Sequence, residues 1–111
     1  MTIEATVSLR SKHVSKVGSD RIRLLQAVAR EGSITAGAKA VGLTYKAAWD
    51  ALDAMANLFG RPVLETRTGG RAGGGARLTP TGIRVIESFG RLEAEMTRVL
   101  RGLEPDLAAS G

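Results

Sequence analysis

"GSITAGAKAVGLTYKAAWDALDAM", residues 32–55, reads as two helices meeting at a tight corner. Ser33 caps the first, in which Ile34, Ala38 and Val41 recur at i, i+4 and i+7. Gly42 closes that helix. Thr44 caps the next, which runs to about Phe59 and turns Ala48, Leu52, Met55 and Phe59 inward. The residues around the corner are small: Gly37, Ala38, Ala40, Ala47 and Ala48. Small side chains let two helices cross closely at a steep angle, which a helix-turn-helix requires.

Working outward, a preceding helix begins with Ser19 as its expected N-cap and Asp20 in its first turn. Ile22, Leu25, Val28 and Ala29 line one face, and Gly32 ends it. Further upstream, residues 5–11 alternate apolar and polar at the period of a half-buried strand, and "KHVSKVG" reads as a connector. Downstream, Arg61-Pro62 turns the chain into a short strand at 63–66, and "ARL" at 76–78 supplies a return strand. Thr79 and Pro80 then start a last helix, with a capping threonine followed by proline at the first helical position. That helix is expected to end near Gly102, leaving residues 103–111 as a frayed tail. The expected organisation is one domain over 1–111: an N-terminal strand and connector (1–18), a winged helix-turn-helix (19–79), a dimerisation helix (80–102) and the tail. The fold class is mainly α with a small β-hairpin.

Between the two short strands lies "RTGGRAGGGAR", residues 67–77, with five glycines and three arginines in eleven residues. A phosphate-cradling P-loop needs a lysine near its end and a helix immediately after it. This loop has no lysine, and a strand intervenes before the helix at Pro80. A hairpin tipped with arginine, following a helix-turn-helix, is the wing of a winged helix. Its arginines would hold phosphates or enter a minor groove. A surface loop without function is the blander alternative.

The 111 residues carry a formal charge of +5, and the pI is near 10.4. Such a surplus on a small domain favours a polyanionic partner. There is no cysteine and one histidine, His13, so no thiolate metal site, disulfide framework or histidine-based metal site can form. No clustered carboxylate pair accompanies them, so no acid–base or nucleophilic constellation can be assembled and no enzyme is expected. No cofactor is expected either. No apolar run has the length of a membrane span, and the first ten residues lack a signal peptide's hydrophobic core, so the expectation is a cytoplasmic protein without membrane contact.

With Ala48, Leu52 and Met55 inward, the second helix of the motif turns Tyr45, Lys46, Trp49, Asp50 and Asp53 outward. Segment 32–49 holds Lys39 and Lys46 and no acid. Ser33 and Thr44 stand at helix N-termini, whose free N–H groups favour phosphate. Lys46 is the leading candidate for a base or phosphate contact, and Tyr45 can donate to phosphate. Trp49 fits either the core or a contact with sugar or thymine methyl. Asp50, four residues after Lys46, is read as orienting that lysine rather than accepting from cytosine. Candidate DNA contacts are Ser33, Thr35, Thr44, Tyr45, Lys46, Trp49, Arg67, Thr68, Arg71 and Arg77.

In the last helix Val85, Phe89, Leu92, Met96, Val99 and Leu103 follow the +4, +3 alternation of a heptad seam. Ile83 and Ile86 lie off it and are free to pack on the domain, which leaves the seam for a second copy of the chain. A homodimer would set two recognition helices about 34 Å apart on a palindromic site.

"GSITAGAKAVGLTYKAAWDALDAM" followed by "LETRTGGRAGGGARLTPTG" resembles the N-terminal DNA-binding domain of the molybdate-responsive ModE regulators, itself related to the LysR-type winged helix. "TGGRAGGG" and "YKAAWDA" carry the specific part of the likeness, which covers residues 19–100. It implies a bacterial or archaeal transcription regulator, dimeric through its first and last helices, on a palindromic operator near genes for molybdate uptake or molybdoenzymes. It places Thr44, Tyr45, Lys46 and Trp49 in the recognition helix and residues 67–77 in the wing. In that family a separate C-terminal pair of small β-barrel domains binds molybdate. No β-barrel sequence occurs in these 111 residues, so the chain is expected to be a single-domain member, to sense through a separate partner, or not to sense molybdate at all. A protein-interaction module on the same scaffold, with Asp50 and Asp53 on its face, is the competing reading.

Overall fold

The computed structural model describes residues 3–11, 14–67 and 74–110. Two strands, β1 (Ser8–Ser11) and β2 (Val14–Gly18), lead into three helices, α1 (Ser19–Glu31), α2 (Ile34–Ala40) and α3 (Tyr45–Phe59). A second strand pair, β3 (Leu64–Arg67) and β4 (Gly75–Leu78), precedes the long helix α4 (Pro80–Ser110). Both pairs are antiparallel and separate: Leu9 faces Val17 in the first, and Leu64, Glu65, Thr66 and Arg67 face Leu78, Arg77, Ala76 and Gly75 in the second. This is a winged helix-turn-helix with a helical extension.

The core lies where α1, α3, β2 and the start of α4 meet. Val17, Leu24, Leu25, Val28, Met55, Val63 and Phe89 are its largest fully buried side chains. The α1–α2 crossing is close because Gly37 has no side chain. A Cβ there would sit 2.5 Å from Val28 Cγ2 and 2.6 Å from Val28 Cα. The corner after α2 needs a left-handed residue, and Gly42 supplies it at φ +76° without steric cost. Thr79 fastens the far end. Its hydroxyl donates to Pro62 O at 2.7 Å and accepts from Gly82 N at 3.0 Å, so one side chain both caps α4 and ties it to the turn after α3.

Four expectations change. The segment read as a connector after the first strand is itself strand β2, paired with β1, because Leu9 and Val17 meet across the ladder and pack on the core. Gly18, not Ser19, occupies the N-cap position of α1 and offers no side-chain cap. The Ser19 hydroxyl instead donates to Glu93 Oε2 on α4 at 3.1 Å, a tertiary use that local sequence does not announce. Helix α4 does not stop at Gly102. That glycine is not among those with positive φ, so it lacks the left-handed geometry that ends helices, and the helix continues through Pro105 to Ser110.

The fourth correction concerns the seam. Val85 and Phe89 are 8% and 1% exposed and belong to the chain's own core, because the first turns of α4 lie across α1 and β4. Neither can face a partner. Ile86 packs on that core as expected, whereas Ile83 is 44% exposed. Beyond Phe89 one side of the helix stays near the domain, with Glu93 bonded to Ser19 and Thr97, Leu100 and Glu104 lining a concavity with residues 3–5, while another side is open. Leu92, Val99 and Leu103 are consequently exposed and Met96 half-buried, on an elongated molecule of 59 × 28 × 22 Å.

Candidate nucleic-acid interface

Two capped helix N-termini build one edge of the site. Ser33 Oγ accepts from Ala36 N and Thr44 Oγ1 from Ala47 N, each at 3.1 Å. These bonds fix where α2 and α3 begin and leave other first-turn N–H groups for a ligand. Thr35 is exposed in the first turn of α2. Neither first turn carries an acidic residue.

Helix α3 is amphipathic, with Ala48, Ala51, Leu52 and Met55 buried. Its opposite face is exposed: Tyr45 at 54%, Trp49 at 48%, and Lys46, Asp50 and Asp53 beside them. Lys46 Nζ lies 3.0 Å from Asp50 Oδ2, the i,i+4 pairing expected from their spacing. Trp49 is neither a core residue nor fully free. It lines a groove together with Ile34, Pro62, Leu64 and Thr66, between the recognition helix and the wing strand β3. The side chain is half-exposed at the edge of that groove.

The wing is held against the helix-turn-helix by backbone. Ala76 N donates to Gly32 O at 2.8 Å, which joins β4 to the turn between α1 and α2. Arg67 and Arg77 stand exposed on the strands near the wing's base. Arg77 Nε pairs with Glu65 Oε2 directly across the ladder at 3.1 Å, so it reaches the surface as a braced cation rather than a loose one. Thr68 and Arg71, expected at the wing's tip, lie outside the described residues.

Ser33, Thr35, Thr44, Tyr45, Lys46, Trp49, Arg67 and Arg77 thus occupy the recognition helix, the helix before it and the wing base, which are tied together at Gly32 and share a groove at Trp49. Sequence reasoning missed two features. Leu43, at the corner, is 40% exposed. Arg61 and Arg84, distant in sequence, share one concavity on the molecule. Nothing local in the sequence signals that Arg61 and Arg84 line the same concavity.

A capped, exposed recognition helix beside an arginine-bearing wing defines the bacterial regulatory winged-helix class. The chain belongs to it: residues 19–83 match the family described as bacterial regulatory helix-turn-helix protein, lysR family. Beyond the family match, the chain is 48% identical over 105 residues to the molybdenum-pterin-binding protein MopA of Rhodobacter capsulatus, covering 95% of this chain and 40% of that protein. It is 45% identical over 103 residues to the molybdenum transport protein ModE of Azotobacter vinelandii, covering 93% of this chain and 38% of that protein. The chain therefore spans about 40% of the length of these relatives. Among solved structures, the CbnR DBD–DNA complex shares the fold at TM-score 0.57 and 23% identity, over 82% of this chain and 95% of that one. These relatives are described as a molybdenum-pterin-binding protein, a molybdenum transport protein and a DNA-binding domain in complex with DNA. Among the described residues, no helix is long and apolar enough to cross a membrane.

Proposed function

We propose that this chain is a DNA-binding transcription regulator that reads a palindromic operator as a homodimer, at genes for molybdate transport or molybdoenzymes. The observation that carries the reading is the recognition face itself. Tyr45, Lys46 and Trp49 stand exposed on a helix whose N-terminus is capped by Thr44, with Arg67 and Arg77 on the adjoining wing. A helix N-terminus entering the major groove presents these residues to base edges, and the wing arginines and helix N–H groups hold phosphates that fix its register. Lys46 contacts a base or an adjacent phosphate, with Asp50 holding its ammonium in place. Trp49 lays its exposed part on sugar or a thymine methyl.

The dimer rests on Leu92, Met96, Val99 and Leu103, the part of the seam on the open side of α4. Similarity to ModE and MopA proteins supports the link to molybdenum. A separate sensor partner is part of this reading. DNA reading places the protein in the bacterial cytoplasm. Selection from a pool of randomised duplexes tests the proposal. Enrichment of an inverted repeat with half-sites one or more helical turns apart is expected. Enrichment of single, asymmetric sites overturns the dimeric reading, and no enrichment favours the interaction module.

A further inference from the structure

We infer that the concavity between α3 and α4 is a binding site for an amphipathic organic anion, a carboxylate or sulfonate carried on an apolar ring system. It lies at the C-terminal end of the recognition helix, at the opposite end from Thr44 and Lys46. Its volume is about 390 Å³, in the range of small-molecule clefts. Arg61, from the turn after α3, and Arg84, from the first turns of α4, line it together with Thr81 and Ser88, and Leu9, Phe59 and Leu92 are among its apolar walls.

Three observations point to a ligand of this class. Among the described residues, no carboxylate side chain lines the concavity, although two arginines do. Neither Arg61 nor Arg84 has an ion-pair partner among the described residues, a state they share with Arg10, Arg67, Arg91 and Arg101, but these two line one concavity together. The two arginines also come from segments already fixed to each other, since Thr79 at the head of α4 donates to Pro62 O beside Arg61. Two arginines beside aromatic and aliphatic walls match an anion on an apolar body: the guanidinium groups can donate charge-assisted hydrogen bonds while the walls take the ring out of water. Leu92 links the site to the exposed seam of α4, so occupancy places the ligand beside the surface assigned to the second copy.

An NMR titration of the full chain with 2-naphthoate tests this, run beside the neutral 2-naphthalenemethanol. Saturable shifts are expected at Phe59, Arg61, Ser88 and Leu92, with the neutral analogue at least about tenfold weaker and Arg61→Gln/Arg84→Gln losing about tenfold or more. Equal binding of the two probes overturns the anion assignment on the wild-type chain alone, whatever the variant's folding. Shifts confined to Lys46, Arg67 and Arg77 would mean a general affinity of the DNA face for anions and would also overturn it, as would no saturable shift at millimolar probe. DNA binding is not the readout, so this inference and the operator reading fail independently.

Discussion

Lys46 Nζ and Asp50 Oδ2 lie 3.0 Å apart on the exposed face of α3, with the side chains 86% and 65% accessible. An ion pair so exposed contributes little to stability, commonly well under about 1 kcal/mol. Its consequence is positional: the ammonium that would meet DNA is held along the helix instead of sweeping freely. Lys46→Ala should weaken specific binding by about 1–3 kcal/mol if the lysine meets a base. An equal loss on specific and random duplexes would make it a phosphate contact.

Asp50→Asn should leave the unfolding midpoint nearly unchanged, since the site is a solvated surface. It should raise affinity for random duplex, because an anion leaves the DNA-facing surface, and narrow the gap between operator and random sequence, because Lys46 loses its brace. Titrations of both duplexes at fixed salt measure this. A widened gap would contradict the bracing role.

The wing arginines should appear in salt dependence. Each phosphate neutralised contributes about −0.9 to the slope of log K against log salt on duplex DNA. Arg67→Ala and Arg77→Ala should each flatten that slope by about this amount if each holds one phosphate. Glu65→Gln frees Arg77 from its cross-strand partner and should steepen the slope or leave it unchanged. A flatter slope for Glu65→Gln would mean that the ion pair itself positions Arg77 for contact.

Phe89 and Leu92 are three residues apart and should behave in opposite ways. Phe89 is 1% exposed, so Phe89→Ala should destabilise the monomer fold by about 3–5 kcal/mol in urea unfolding. Leu92 is 43% exposed, so Leu92→Glu should leave the fold intact and shift sedimentation from dimer to monomer. A folded monomeric Phe89→Ala, or a Leu92→Glu variant that stays dimeric, would contradict the division of the seam.

The helix-turn-helix was legible because its signals are local. Ser33 and Thr44 cap the helices predicted for them, Gly42 turns the corner, and Ala48, Leu52 and Met55 are buried at helical spacing. What sequence left open depends on contacts between distant residues. Ser19 gives its hydroxyl to Glu93, 74 residues away, and Gly18 takes its place at the head of α1. Val85 and Phe89 satisfy a heptad pattern and a core pattern equally well, and only the path of α4 across α1 decides between them. The place of Trp49 is open in the sequence for the same reason: its groove is lined in part by β3, which the spacing of α3 cannot reveal.

The most direct test of the account is fluorescence anisotropy of a labelled palindromic duplex beside a scrambled one, at low and near-physiological salt. The account predicts that the palindrome keeps its affinity at the higher salt while the scramble loses most of its own, since base contacts survive where phosphate contacts are screened. If both lose affinity together, only the surplus of positive charge binds. If neither binds even at low salt, the recognition face of α3 is not a DNA-reading surface.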